Sequence, residues 1–218
     1  MTPENNRTLV QCDFDGTITD GDVSFQILDE FSDPGWRDKL NEYMAGKISV
    51  NRFNASVFSK VKVDKETLDN FVRAKAVIRP GLDDLLQACR ERDFRFVIVS
   101  NGMMFYIDAI LKMLKLNEEF VAARANFKLE GMEAWYEGPD GQPVEEGFKE
   151  AYTNYFLRQG YRIIYMPVCD RWTTCDKVNL ICVYLIPLCN LLRIDNYCTF
   201  TSGLYIIVYR FPLRVFGK

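Results

Sequence analysis

Two aspartates that lie two residues apart, Asp13 and Asp15, follow the first apolar run of this 218-residue chain, and Gly16 comes next. Side chains alternate along an extended strand, so both carboxylates would point to the same side. Two carboxylates this close repel each other and favour a divalent cation or a shared proton. Mg²⁺ takes carboxylate oxygens together with water and phosphate oxygens. The pair could therefore supply a nucleophile and an acid/base for phosphate chemistry.

The chain contains no histidine. This composition excludes the Ser-His-Asp and Cys-His nucleophilic mechanisms and every zinc site that depends on histidine. Hydrophobic residues make up 48% of the chain and charged residues 26%, which is typical of a globular protein. The formal net charge of −3 gives no indication of nucleic acid as the main partner.

Apolar runs alternate with helical patterns through the first 166 residues. Strands are predicted at residues 7–14, 94–99 and 161–166, and a helix is predicted at residues 144–158 before the last of them. This alternation predicts an α/β fold, a Rossmann-like parallel sheet covered by helices. In such sheets ligands bind beyond the carboxyl ends of the strands.

Four helices are predicted between the first two strands, with Asp33 as the N-cap of the second. Because they interrupt the strand-helix alternation, we interpret residues 21–76 as an inserted helical cap. The core domain would then consist of residues 1–20 and 77–218.

The second predicted strand also ends in polar residues, Ser100, Asn101 and Gly102. The carboxyl ends of parallel strands share one edge of the sheet, so these residues should lie near Asp13. Ser100 could instead cap the helix that follows. Thr17, close to the aspartate pair, could bond either a phosphate oxygen or its own turn.

The sequence Asp-Phe-Asp-Gly-Thr-Ile-Thr at residues 13–19 resembles the first motif of the haloacid dehalogenase (HAD) superfamily of phosphatases. Residues 100–102 resemble the second motif, and Lys149 is similar to the third. The helical insertion resembles the cap of the phosphoserine phosphatase-like branch. The resemblance covers about residues 8–166.

Two further sequence segments indicate which group within that branch the chain resembles most. Residues 77–81 and 97–103 resemble the corresponding stretches of the methionine-salvage phosphatases, which act on a 2-hydroxy-3-keto-5-methylthiopentenyl phosphate.

The resemblance implies Mg²⁺-dependent hydrolysis of a small phosphorylated metabolite through an aspartyl-phosphate. Asp13 would attack phosphorus, and Asp15 would protonate the leaving alcohol and then activate water. The Asp13 carboxylate and the Asp15 backbone carbonyl would bind Mg²⁺. Lys149 lies among glutamates, so a solvated surface lysine is the alternative. The predicted phosphate-binding residues are Thr17, Ser100, Asn101, Gly102 and Lys149.

The composition changes near residue 151. Glu150 is the last glutamate, Ala151 is the last alanine, and five of the seven cysteines lie from Cys169 onward. Three interpretations of this atypical tail (residues 166–218) stay open. They are a strand-rich ending, a membrane-associated ending, and an ending produced by a shifted reading frame, which the unpatterned composition favours. The apolar run at residues 178–192 is shorter than the roughly 20 residues that a membrane-spanning helix needs.

The resemblance breaks in this tail. The fourth HAD motif, a Gly-Asp pair with a second aspartate about four residues later, should follow the strand at residues 161–166. Asp170 and Asp176 stand there instead, and no Gly-Asp pair follows the strand. We expect Asp170 to replace the missing metal ligand. The alternatives are a catalytically impaired HAD-fold protein that acts as a binding protein or is a damaged enzyme, a membrane-associated protein, and a phosphotransferase.

The cysteines form no Cys-x-x-Cys pair, and the chain starts with a polar stretch. These features favour reduced thiols and a cytoplasmic location without a membrane partner.

Overall fold

The computed structural model describes residues 7–166 together with the backbone of two short strands at residues 181–184 and 205–208. In this part of the chain seven strands form one sheet, in the order β4-β3-β2-β1-β5-β7-β6. The strands are β1 (Thr8–Cys12), β2 (Arg95–Met103), β3 (Glu119–Lys128), β4 (Gly131–Trp135), β5 (Arg162–Met166), β6 (Ile181–Tyr184) and β7 (Tyr205–Val208).

The centre of the sheet is parallel. β1 pairs in parallel with β2 and with β5, and β2 pairs in parallel with β3. β4, β7 and β6 complete the two edges as antiparallel strands. The α/β architecture predicted from the alternation of apolar runs is confirmed.

Seven helices accompany the sheet in the described residues. They are α1 (Val23–Phe31), α2 (Trp36–Met44), α3 (Val50–Phe58), α4 (Lys65–Lys75), α5 (Leu82–Glu91), α6 (Met104–Met113) and α7 (Phe148–Arg158). None of the helices in residues 7–166 combines the length and the hydropathy that a membrane span requires.

The predicted four-helix insertion is present as α1 to α4, and its buried apolar residues belong to the same core cluster as those of the sheet. α4 packs against α6, and α3 packs against β4. The insertion therefore contacts the sheet through α3 and α1, and it contacts helix α6 through α4. The division into a core and a cap at residues 21–76 stays a prediction.

β1 is buried along its whole length, including its polar residue Gln11. The Gln11 amide donates to the Lys149 carbonyl at 3.4 Å and accepts from the Thr153 hydroxyl at 3.0 Å. A buried polar side chain is tolerated only when its hydrogen bonds are made. Gln11 thus fixes α7 beside the strand that leads into Asp13.

Two helices begin later than their sequence predicts. Asp33 does not cap α2, because its carboxylate accepts from the Gly35 amide at 2.9 Å in the preceding turn and the helix begins at Trp36. α7 begins at Phe148, not at residue 144, because Gly147 has a left-handed backbone (φ 69°) that precedes the first helical residue.

Candidate active site

A cavity of about 290 Å³ opens at the carboxyl ends of β1 and β2, below the helical insertion. Most of the residues predicted to do chemistry line it. They are Asp13, Asp15, Ser100, Asn101, Gly102 and Lys149. The topology explains this convergence, since β1 and β2 are parallel neighbours and Gln11 holds the start of α7 against β1.

Asp13 forms a nearly buried ion pair with Lys149. The distance from Lys149 Nζ to Asp13 Oδ2 is 2.6 Å, and the two side chains are 19% and 5% exposed. The other carboxylate oxygen of Asp13 accepts from the Phe14 amide at 2.8 Å. Burial disfavours the charged lysine and is the largest single effect, but the Asp13 carboxylate, with smaller contributions from Tyr165 and Asp15, raises the pKa of Lys149 overall. Lys149 therefore stays cationic beside Asp13, and the alternative of a solvated surface lysine is wrong.

Asp15 has no cation in its hydrogen-bonding environment among the described residues. Its carboxylate accepts from the Val23 amide at 2.9 Å and from the Tyr106 hydroxyl. Tyr106 in turn shares a 2.9 Å hydrogen bond with Ser24. Burial raises the pKa of Asp15 well above its usual value, and the charge of Asp22 adds to the effect. The protonated form of Asp15 is thereby favoured, as an acid catalyst requires.

The two carboxylates of the first motif thus meet opposite environments. Asp13 faces an ammonium group, whereas Asp15 is desolvated and faces a second acidic residue, Asp22. Two neighbouring carboxyl groups with such different surroundings are typical of a nucleophile and an acid/base that work together.

Ser100 and its two successors form the end of β2, which extends to Met103. The Gly102 amide donates to Ser100 Oγ at 3.0 Å. Helix α6 begins after Met103 and has no side-chain cap, so the alternative of Ser100 as a helix cap is wrong. A side chain at position 102 would overlap the Tyr106 hydroxyl and the Asp15 carboxylate, which explains the glycine.

Thr17, which was predicted to bind phosphate, does not line this cavity. The amides of Thr17, Ile18 and Thr19 all turn back to the Phe14 carbonyl. This turn buries the Thr17 side chain beside Cys12, Ile18 and Arg79. Its hydroxyl has no hydrogen-bond partner in the part of the chain that the structure describes.

The predicted metal ligand Asp170 lies outside the described residues. Within residues 7–166 no group of three acidic, cysteine or histidine side chains is arranged to hold a metal on its own. The Asp13 carboxylate and the Asp15 backbone carbonyl are nevertheless hard oxygen donors. They suit Mg²⁺, because this ion normally keeps water and phosphate oxygens in its shell.

The helical insertion supplies cavity residues that were not predicted as site residues. They are Asp22, Ser24, Phe25, Tyr43, Val50, Phe53 and Asn54. Tyr106, the partner of Asp15, was missed as well. Only Asp22 carried a usable signal, since an aspartate stands there at the start of the first helix of the insertion.

Asp22 is the N-cap of α1, and its carboxylate accepts from the Phe25 amide at 3.0 Å. Burial raises the pKa of Asp22 to about 6, with the Asp13 carboxylate as the largest neighbouring charge that adds to the rise. The folded chain therefore binds this proton more tightly than the unfolded chain. The contribution of Asp22 to the stability of the chain should fall as the pH rises from about 4 to about 6.

Asp22→Asn should accordingly stabilise the chain at pH 8, by about 1 to 2 kcal/mol, and change little at pH 4. Asparagine remains a good N-cap. Urea unfolding at both pH values with a chelator present measures the effect. Asp33→Asn is the matched control, because that exposed carboxylate also accepts from a backbone amide. Equal shifts at both pH values would contradict the prediction.

A family model of haloacid dehalogenase-like hydrolases matches residues 10–151 of this chain. The chain belongs to the haloacid dehalogenase-like hydrolase family. The family predicted from residues 13–19 is therefore confirmed. The matched range contains Asp13, Asp15, Ser100 and Lys149. It ends at residue 151, where the amino-acid composition of this chain changes.

Two curated relatives of the HAD chain are named 2-hydroxy-3-keto-5-methylthiopentenyl-1-phosphate phosphatase. The one from Brevibacillus brevis is 31% identical over 108 residues, which is 49% of each chain. The one from Bacillus pumilus is 28% identical over 138 residues, 62% of this chain and 60% of the relative. The chain thus spans about half to three fifths of the length of the curated relatives it matches.

A solved structure described as a phospho-aspartyl intermediate analogue of phosphoserine phosphatase has the same fold. Its TM-score is 0.55 with 16% identity, over 75% of this chain and 80% of that one.

Proposed function

We propose that this chain hydrolyses a small phosphomonoester with the help of Mg²⁺, through an aspartyl-phosphate on Asp13. The observation that carries the proposal is the pairing of Asp13 with the Lys149 ammonium, next to an Asp15 whose environment favours a proton. The location of the cavity at the strand ends and the names of the relatives support it.

In the first half-reaction an Asp13 oxygen attacks phosphorus, and the bond from phosphorus to the alcohol oxygen breaks. Asp15 gives its proton to the departing alcohol oxygen. Lys149 has its ammonium 2.6 Å from Asp13 Oδ2, so it lies close enough to balance negative charge on both the nucleophile and the phosphoryl oxygens. Phosphoryl transfer depends mainly on such positioning and charge.

In the second half-reaction water attacks the phosphorus of the aspartyl-phosphate. Asp15, now a carboxylate, takes a proton from that water, and the bond from phosphorus to Asp13 breaks. The Ser100 hydroxyl and the Asn101 amide would hold phosphoryl oxygens in both steps. Bound Mg²⁺, on the Asp13 carboxylate and the Asp15 backbone carbonyl, would supply further positive charge at the phosphoryl group.

The substrate would be a small phosphorylated metabolite with a partly apolar body. Phe25, Tyr43 and Phe53 supply an aromatic wall to the cavity. The relatives are named for a substrate that is itself a small organic phosphate. The cytoplasmic location and the absence of nucleic-acid and membrane partners stay predictions.

The test is the release of inorganic phosphate from para-nitrophenyl phosphate by the full chain, with Mg²⁺ and with a chelator. We expect hydrolysis that the chelator abolishes. Phosphate transfer to added glycerol in place of release would instead indicate a phosphotransferase. A folded chain that binds inorganic phosphate but turns nothing over would contradict the proposal and indicate a catalytically impaired binding protein.

A further inference from the structure

Two buried side chains and a backbone carbonyl form a closed hydrogen-bonded triangle at the edge of the cavity. The Asn54 amide nitrogen donates to the Asn101 carbonyl at 2.9 Å and to the Tyr136 hydroxyl at 2.6 Å. The Tyr136 hydroxyl donates to the same Asn101 carbonyl. Asn54 is 4% exposed and Tyr136 is 2% exposed. Each donor and acceptor in the triangle is compatible with the others, since the amide has two protons and the hydroxyl both accepts and donates.

The peptide group that accepts these hydrogen bonds is itself hydrogen-bonded to the Ser100 side chain. The Asn101 carbonyl belongs to the same peptide as the Gly102 amide, which donates to Ser100 Oγ at 3.0 Å. Because Ser100 Oγ accepts that bond, its own proton is left to donate to a ligand. Hydrogen bonds to a carbonyl also polarise the peptide and strengthen its N–H as a donor.

The members of the triangle come from three separate parts of the chain. Asn54 lies on α3 of the helical insertion, Asn101 lies on β2, and Tyr136 follows β4. The Tyr136 ring packs edge-on against Phe148, the first residue of α7, with ring centroids 4.9 Å apart. One turn earlier on α3, the Asn51 amide donates to the Val144 carbonyl in the segment before α7. The triangle therefore sits where α3, the end of β2 and the start of α7 meet.

We propose that Asn54 and Tyr136 are positioning residues, which fix the Asn101–Gly102 peptide and through it aim the Ser100 hydroxyl at a phosphoryl oxygen. Phosphate binding then depends on the contact between α3 and Tyr136, the residue after β4. This inference rests on the proposed function.

The first variant is Tyr136→Phe, which removes one donor to the Asn101 carbonyl and keeps the packed ring. With para-nitrophenyl phosphate we expect kcat/KM to fall about fivefold to tenfold, as the loss of one buried hydrogen bond suggests. Inhibition by inorganic phosphate should weaken in parallel. Tyr152→Phe is the matched control, because the Tyr152 hydroxyl also donates to a backbone carbonyl, that of Glu137, at 3.2 Å and outside the cavity.

A double-mutant cycle with Ser100→Ala separates positioning from a general structural role. If Tyr136 acts through Ser100, Tyr136→Phe should cost less than about twofold in the Ser100→Ala chain. An equal loss in both backgrounds would overturn the inference. Asn54→Ser, which shortens the second donor, should show the same dependence on Ser100.

A chain without any turnover would contradict the proposed function but still leave the triangle testable. In that case the readout is hydrogen exchange of the Gly102 amide, followed by NMR on the full chain. Tyr136→Phe should speed this exchange at least about fivefold, and Tyr152→Phe should leave it unchanged. Unchanged exchange in Tyr136→Phe would overturn the inference.

Discussion

Replacing Asp13 by asparagine is expected to abolish turnover of para-nitrophenyl phosphate, with a loss on the order of 10⁴-fold or more. Asparagine has nearly the shape of aspartate, but its amide cannot form the acyl-phosphate that the proposed reaction requires. The amide oxygen can still accept one of the two hydrogen bonds that the carboxylate takes from Phe14 and Lys149. The substitution should therefore lower the catalytic rate far more than it disturbs the folded structure.

A moderate loss of stability is expected together with the loss of activity. Lys149 would keep its charge in a largely buried position without the carboxylate 2.6 Å away, which should cost about 1 to 3 kcal/mol. Urea unfolding measures this cost, and phosphate release measures the activity. Asp20→Asn is the control, because Asp20 is 60% exposed, pairs with Arg79 and does not line the cavity. A folded Asp13→Asn chain with unchanged activity would rule out Asp13 as the nucleophile.

Asp15→Asn is expected to lower kcat/KM by about 10² to 10⁴-fold for an alkyl phosphate. The variant can keep the local geometry, since asparagine can accept from the Val23 amide and donate to Tyr106, which bonds Ser24. It has no proton to give to the leaving alkoxide. Because kcat/KM reports only the steps up to alcohol departure, it isolates this role.

A series of leaving groups makes the Asp15 prediction sharper. Para-nitrophenolate leaves without a proton, so its kcat/KM should fall much less in Asp15→Asn than that of an alkyl phosphate. The variant should also show a burst of para-nitrophenol, because hydrolysis of the aspartyl-phosphate lacks its base. The same series on Asp20→Asn should match the unmodified chain. An equal loss for aryl and alkyl phosphates would argue against Asp15 as the acid.

The sheet and the two polar strand ends were predictable because they depend on local pattern. A buried apolar run identifies β1 and β2, and the connection through helices makes them parallel. Once they are parallel neighbours, Asp13 and Ser100 must share an edge. The role of Lys149 was harder to predict, because its neighbours in the sequence are acidic. Gln11 holds α7 against β1 and so places Lys149 near Asp13, but this is seen only once the hydrogen-bond partner of the Gln11 amide is known.

The contributions of the helical insertion could not be predicted in the same way. Helical spacing indicates which residues share a face, but it does not indicate which strand end that face will cover. Asn54 and Tyr43 therefore looked like ordinary helix residues, although they line the cavity. Tyr106 lay within an apolar helical stripe, and its bond to Asp15 depends on the absence of a side chain at Gly102.

Thr17 illustrates the opposite error. Its proximity in sequence to the aspartates suggested a phosphate ligand, but backbone hydrogen bonds to the Phe14 carbonyl turn its side chain into the interior. The geometry of a tight turn overrides proximity along the chain.

The backbone hydrogen bond from the Asp13 amide to the Met166 carbonyl, 2.8 Å long, has a consequence for the biosynthesis of the protein. It joins two residues that lie far apart along the chain, so the second is synthesised much later than the first. Lys149, which pairs with Asp13, is likewise synthesised late. Strand pairings between such distant segments form slowly, because a long loop must close first. A nascent chain can thus build its helical insertion early, whereas the reactive centre assembles only when translation has passed β5.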